Sequence, residues 1–250
     1  MGLPGLREID CAGLKAWPGL DHAEDGAWVR RAAGRYTRRA NSVQCLDPAD
    51  DEDVVARIAA SRRWFQLRGL RPIFRITPLA GPNLRDALNA LRWVVEGESH
   101  VMIRPLDRSD YVGDSRIEVL PITDPAWLQA QGQLQKYEEM TLDRLKAIVA
   151  AIAVPACGLL VRSTDGSPVS AALMGVADGI VITGNVVTAD GERRKGYATA
   201  LMRSGLAWAA GAGARFAALS VSADNEPGLA LYGRMGYRFA YDYYYQAPAA

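Results

Sequence analysis

From residue 186 to residue 199 the chain reads Val186-Val187-Thr188-Ala189-Asp190-Gly191-Glu192-Arg193-Arg194-Lys195-Gly196-Tyr197-Ala198-Thr199. A strand-like run passes through a tight basic turn into a helical one, and the residue types suit an anion. Gly196 and the small Ala198 let a ligand approach the main chain closely. The first-turn amides of the helix that follows lack intrahelical acceptors and lie at the positive end of its dipole. Arg193, Arg194 and Lys195 add charge, and arginine can grip two phosphate oxygens at once. A diphosphate is the natural ligand of such a turn, although Arg-Arg-Lys-Gly by itself is also how many solvated helices begin. Two other phosphate-binding patterns fit poorly. A dinucleotide fingerprint belongs in a first strand-helix-strand unit with an acid about twenty residues on, and a nucleotide P-loop needs lysine followed by Ser or Thr.

Some thirty residues later stands a second block, Asn225-Glu226-Pro227-Gly228-Leu229-Ala230-Leu231-Tyr232-Gly233-Arg234-Met235-Gly236-Tyr237. Asn225 can cap a helix, Leu229 and Leu231 can pack it, and Gly236 can end it in a left-handed turn. Tyr232 is either one more packing residue of that helix or a proton donor.

The two blocks together resemble the GCN5-related N-acetyltransferases (GNAT). Arg193, Gly196 and Ala198, with Leu201 following, match the Arg/Gln-x-x-Gly-x-Gly/Ala signature of that superfamily. The second block matches Asn-x-x-Ala-x-x-Leu-Tyr-x-x-x-Gly-Phe, with Gly228 in place of alanine and Tyr237 in place of phenylalanine. The resemblance spans about residues 115–245. It implies an acetyl-CoA site made of Val186, Val187, Thr188, Arg193, Arg194, Lys195, Gly196, Tyr197, Ala198, Thr199 and Asn225. It also implies that the Tyr232 hydroxyl faces the thioester sulfur, where a phenol with a reference pKa of about 10 stays protonated and can act as general acid. Main-chain groups at Val186 and Thr188 would pair with the pantetheine arm as an added strand does, one amide polarising the thioester carbonyl.

The implied activity is transfer of an acetyl group from acetyl-CoA to a primary amine by direct attack. The alternative is a noncatalytic module that binds acyl-CoA as a sensor. Cys157 reads as core, and His22 and His100 stand at no metal-ligand spacing, so neither a covalent intermediate nor a metal is expected. The base is unassigned. Relatives use a carboxylate on a central strand where this chain has Gly184 and Asn185, and Asp178, Glu138 and Glu139 are the substitutes on offer.

These residues need a scaffold. Strand patterns at 158–163, 169–176 and 180–188 predict an antiparallel meander, followed by a helix at 196–210, a strand at 216–222, a helix at 227–235 and a strand at 237–245. Strand-helix-strand crossovers make this last part parallel. Helices are also expected at 124–135 and 141–151. Earlier in the chain, residues 28–43 read as a hairpin or a pair of strands. A helix follows the acids at 50–53 and stops at Gly69, and then come a strand at 72–77, a helix at 83–95 and a strand at 99–103. The fold class is therefore α/β (α+β), with a mixed, mostly antiparallel sheet flanked by helices.

The Pro, Gly and Asp cluster at 104–115 divides residues 1–108 from residues 109–250. Gly34 to Val43, GRYTRRANSV, is similar to a segment of bacterial two-part acetyltransferases of this superfamily, whose front half is a degenerate GNAT-like domain. Residues 109–250 would then be the catalytic domain, and the front half would complete the sheet, shape the acceptor pocket, or both. Tyr36, Arg38, Arg39 and Asn41 are its candidate substrate-binding residues, unless they form an exposed arginine-rich strand. Arginines there would suit an acceptor with a carboxylate or phosphate.

Twenty-nine basic and 28 acidic residues leave a net charge of +1, which gives no reason to expect nucleic acid or membrane as partner. The three cysteines, Cys11, Cys45 and Cys157, form no disulfide pattern, and neither a signal peptide nor a membrane span is apparent, so a cytoplasmic protein is expected. Its partners should be acetyl-CoA and a small amine-bearing acceptor, with homodimerisation left open.

Overall fold

A computed structural model describes residues 2–107 and 113–249, so the division between residues 108 and 109 lies outside the described residues. The first half runs α1 (Leu6–Ala16), β1 (Asp21–Asp25), β2 (Trp28–Ala32), β3 (Val43–Cys45), α2 (Val54–Gln66), β4 (Phe74–Ile76), α3 (Pro82–Ala90) and β5 (Val94–Pro105). The second runs β6 (Ile117–Pro121), α4 (Pro125–Gln135), α5 (Glu139–Ala150), β7 (Ala156–Arg162), β8 (Pro168–Ala177), β9 (Ile180–Thr188), α6 (Tyr197–Gly211), β10 (Phe216–Ser222), α7 (Glu226–Arg234) and β11 (Arg238–Ala247).

All described strands join one 11-stranded sheet in the order β1-β2-β3-β4-β11-β5-β10-β9-β8-β7-β6. Only β3 with β4 and β9 with β10 pair in parallel. The halves repeat one another: β1-β2-β3-α2-β4-α3-β5 matches β7-β8-β9-α6-β10-α7-β11. They also exchange their last strands, β5 pairing with β10 and β11 with β4, while β5 and β11 pair with each other at the centre. The expected crossover from β10 to β11 thus yields two strands of the same direction that do not touch, because β5 lies antiparallel between them.

Alternation along the strands feeds two faces. Val181, Ala217, Leu219 and Val221 pack toward α6 and α7 with Leu201, Met202, Leu206 and Tyr232. Ile180, Ile182, Phe216 and Ala218 face the other way, beneath Ile9, Ala12 and Ala16 of α1. Beside them, α4 and α5 cover Leu160, Ala171 and Leu173 with the fully buried Trp127.

Three elements depart from the sequence reading. The helix expected to reach residue 95 stops at Ala90. Arg92 turns into the left-handed region (φ 54°), and Val94 and Val95, β-branched and exposed, begin the strand instead. That strand, expected at 99–103, extends over Val94–Pro105 and carries a bulge at Gly97 (φ 61°), where Glu96 pairs with Tyr245 and Ser99 with Tyr243. The pair at 28–43 is not a tight hairpin, because β2 and β3 are joined through a short 3-10 turn at Arg38–Ala40.

Candidate active site

β9 and β10 stay paired from Ile180↔Phe216 to Thr183↔Leu219 and then part, leaving residues 184–188 of β9 without a partner on that side. On its other side, β9 gains one residue relative to β8: Gly184 pairs with Leu173 but Val187 with Ala171. The extra residue makes a bulge in which Asn185 takes a left-handed conformation (φ 53°), tolerated by asparagine better than by most residues. The bulge is braced from outside the strand. Gln131 of α4 donates to the Asn185 carbonyl at 2.9 Å, and the Asn185 amide lies 3.4 Å from the Tyr36 hydroxyl. Tyr36 in turn shares a 2.8 Å hydrogen bond with the Tyr137 hydroxyl, ring edge against ring face.

Directly beyond the bulge come the basic turn and α6. Arg194 and Gly196 are both left-handed (φ 64° and 85°), and Gly196 is the residue from which α6 starts. A Cβ on Gly196 would meet nothing within 4 Å, so the side chain it lacks would point into open space at the helix N-terminus. Arg193 pairs with Asp190 at 2.9 Å and Lys195 with Glu192 at 3.0 Å. Such exposed pairs are worth at most about 1 kcal/mol and yield readily to a stronger anion. Between α6 and α7 a cleft is lined by Arg104, Thr199, Arg203, Leu231, Arg234 and Met235, which adds cations to this side of the sheet that the motifs did not reveal.

Tyr232 is 8 % exposed on α7, in the same apolar cluster as Val186 and Tyr197, with its ring 5.9 Å from that of Tyr237. Burial alone pushes its phenol up to about 12, so it holds its proton at neutral pH. Asn225 caps α7, its side-chain oxygen accepting from the Gly228 amide at 3.0 Å. Val187 packs on the α4–α5 side, opposite Val186, and the Thr188 hydroxyl meets that of Ser170 at 2.8 Å.

Of the four front-half candidates, the structure brings two to the bulge. Tyr36 reaches Asn185, and Arg39 lies over Gly184, whose missing Cβ would sit 3.7 Å from Arg39 Nη2. Arg38 instead approaches Glu96 at 3.4 Å and the Tyr245 ring at 5.8 Å. Asn41 staples its own loop: its oxygen accepts from the Ala33 and Arg35 amides, and its amide donates to the Tyr36 and Thr37 carbonyls. The suggested bases lie elsewhere. Asp178 sits in the β8–β9 turn, at the end of β9 opposite the bulge, paired with Lys15 at 2.8 Å. Glu138 and Glu139 stand at the start of α5. Sequence reasoning missed Gln131, Tyr137 and the bulge, for which Gly-Asn inside an apolar strand was the available signal.

The family model described as "Probable histone acetyltransferase Rv0428c C-terminal" matches residues 4–246. An uncharacterized N-acetyltransferase of Bacillus subtilis, YobR, is 26% identical over 252 residues, covering 96% of this chain and 98% of that protein. A GCN5-related N-acetyltransferase from Kribbella flavida superposes with a TM-score of 0.73 at 17% identity, over 99% of this chain and 97% of that one. A tandem GNAT protein from the clavulanic acid biosynthesis pathway gives 0.65 at 12% identity, over 97% and 89%. Fold and relatives define the class as acyltransferase, of the N-acetyltransferase type. The chain belongs to the GNAT superfamily and, within it, to the family described by the Rv0428c C-terminal model.

The turn sets one expectation. Gly196→Val forces a β-branched residue into a left-handed conformation, at a cost of about 1–2 kcal/mol, and fills the space in front of the helix amides. The fold should survive, since nothing in the protein is struck. In the donor-site reading proposed below, affinity for acetyl-CoA should then fall by roughly 100-fold or more in a calorimetric titration, because a diphosphate could no longer reach those amides.

Proposed function

We propose that the protein transfers an acetyl group from acetyl-CoA to a primary amine, in a ternary complex without a covalent enzyme intermediate. The observation that carries this reading is the split of β9 from β10 beside the Asn185 bulge, with the N-terminus of α6 following on the free end of β9 and Tyr232 buried in the same apolar cluster as Val186. In this reading the donor's diphosphate lies on the first amides of α6 with Arg193, Arg194 and Lys195. Its pantetheine arm follows the free edge of β9 at Val186, Val187 and Thr188, with Tyr197, Ala198, Thr199 and Asn225 alongside. Residues 109–250 hold this donor site, and the front half contributes to the acceptor side.

The amine lone pair attacks the thioester carbonyl carbon, and a main-chain amide of the bulged segment stabilises the oxygen as charge develops there. As the C–S bond breaks, Tyr232 gives its proton to the thiolate, the attacking nitrogen loses its extra proton to water to leave the amide, and Tyr232 recovers a proton from solvent. The acceptor must first lose an ammonium proton. Where relatives would present a carboxylate to take it, this chain presents the Arg39 guanidinium over Gly184. No side chain is assigned as the base, and in this reading water takes that proton.

The pH profile follows from these two groups. The acid form of Tyr232 persists up to about 12, so it imposes no loss of rate below that pH, while the fraction of neutral amine rises with pH. Thiol release should therefore climb with pH and level off without an alkaline fall before about pH 10. A fall between about pH 8 and 10 would mean that a different acid serves the leaving group. The donor site itself is tested by calorimetric titration with acetyl-CoA, and absence of saturable binding would refute it.

A further inference from the structure

On the face opposite α6, a cavity runs under α1 toward the point where β9 and β10 part, lined by Asp10, Arg39, Gln44, Arg75, Ser220 and Tyr241 among others. Its charges do not balance. Arg75 is buried and ion-paired to Asp10 at 2.8 Å, while the same carboxylate oxygen accepts from the Tyr241 hydroxyl at 2.7 Å. Arg31 is also buried and has only carbonyls for partners, donating to those of Arg39, Leu14 and Trp17. Arg39 has no ion pair or hydrogen bond from its guanidinium among the described residues; it rests 5.7 Å from the Trp17 ring, and its Nε is buried without a partner. The Nε of Arg75 is likewise buried and unpartnered. Of these three guanidinium groups, only that of Arg75 has a carboxylate partner among the described residues.

Burying cations without counter-charge is costly, and here they repel one another. Burial and the charges of Arg39 and Arg75 together pull the Arg31 guanidinium down to about 9. Arg39 Nη2 is 3.7 Å from where a Cβ on Gly184 would sit, beside the bulge where the acyl carbon must lie in the reading above, and Arg75 and Ser220 line the same cavity as Arg39. We infer that the acceptor is a small amine that also carries a carboxylate, which Arg39 holds beside the split of β9 and β10 with Arg75 behind it. Because Arg39 Nη2 is so close to Gly184, amine and carboxylate must be near each other, as in an α- or β-amino acid. A planar guanidinium matches a carboxylate bidentately. A lysine on a basic peptide would instead bring positive charge to a positive cavity.

This inference rests on the proposed donor site, so acetyl-CoA binding is measured first, by calorimetry, on the wild-type chain, Arg39→Gln and Arg39→Lys. All three are expected to bind equally, and failure of the wild type overturns the donor-site reading by itself. Acetylated products are then measured for the standard amino acids and β-alanine, for decarboxylated counterparts such as ethylamine, histamine and cadaverine, for aminoethyl phosphate, and for a lysine-rich peptide. The expected result is acetylation of one or more carboxylate-bearing amines and not of their decarboxylated counterparts. KM for that acceptor should rise roughly 10- to 100-fold in Arg39→Gln, with partial recovery in Arg39→Lys. The inference is overturned if amines lacking a carboxylate, aminoethyl phosphate or the peptide react as well in Arg39→Gln as in the wild type. It is equally overturned if no carboxylate-bearing amine reacts with a chain that binds acetyl-CoA.

Discussion

Replacing Tyr232 by phenylalanine is expected to lower kcat by about 100- to 10,000-fold while leaving acetyl-CoA affinity as it was. The ring of Tyr232 is a packing element, buried in the cluster under α6 and set edge-on to Tyr237. Phenylalanine keeps that ring and its volume, and stability should barely change. What disappears is one hydroxyl, whose proton burial alone secures. In the proposed mechanism the proton moves only as the C–S bond breaks, so kcat and kcat/KM should fall together, the signature of an interaction made in the transition state. Initial rates of thiol release set against calorimetric affinity separate the two effects. A variant that loses both binding and turnover, or neither, would remove the general-acid role.

Residues 113–249 expressed alone are expected to accumulate as insoluble protein, although they contain both sequence blocks and every proposed donor-site residue. The missing piece is β5. Its Val101, Met102 and Ile103 are 2%, 8% and 3% exposed, and burying three such side chains is worth roughly 5–9 kcal/mol, comparable with the whole net stability of a domain. Without β5, β10 becomes an open, apolar sheet edge, and with β4 gone as well β11 has no partner on either side, a template for aggregation. The loss of α1 also uncovers Ile180, Ile182, Phe216 and Ala218. Co-expression with residues 1–112 should restore a soluble complex. Cooperative unfolding of the fragment alone, with the midpoint of the full chain, would show the second half to be independent.

Much of the second half was legible because its patterns are strong and local. The meander β7–β9 shows as long, nearly continuous apolar runs, α6 has an apolar stripe, and Gly196 and Gly236 occupy the left-handed turns that their positions require. α1, β1 and β6 were not legible. Asp21–Asp25 is four-fifths charged or polar and pairs only at the sheet edge, and Leu6–Ala16 gains its helical character from lying on β8 and β9 rather than from a strong cap. The exchange of β5 and β11 cannot be read locally at all, since either strand's pattern fits any apolar neighbour. At the acceptor side, the Arg38-Arg39 pair was visible but not its division of labour. The short 3-10 turn sends Arg38 toward Glu96 and Arg39 toward Gly184, a difference of direction that sequence does not carry. Arg75 looked like an ordinary member of a strand, and Asp10 fell in no expected element, until the fold set them against one cavity.

The exchanged strands also govern how the chain can be made. During synthesis β5 is complete at residue 105, but its second neighbour is complete only at residue 247, so 142 more residues must be added first. At about 5–20 residues per second this is a wait of roughly 7–30 s, throughout which the edge of β4 stays open, and until β10 is complete at residue 222 the apolar β5 has nothing native to pair with. Glu96, Glu98 and Arg104 spaced along β5 are the kind of charges that keep a waiting strand from pairing with another nascent chain. Ribosome-bound chains stalled before β11 should accordingly recruit chaperones and resist no protease, and both halves should become protected together once the last strand emerges.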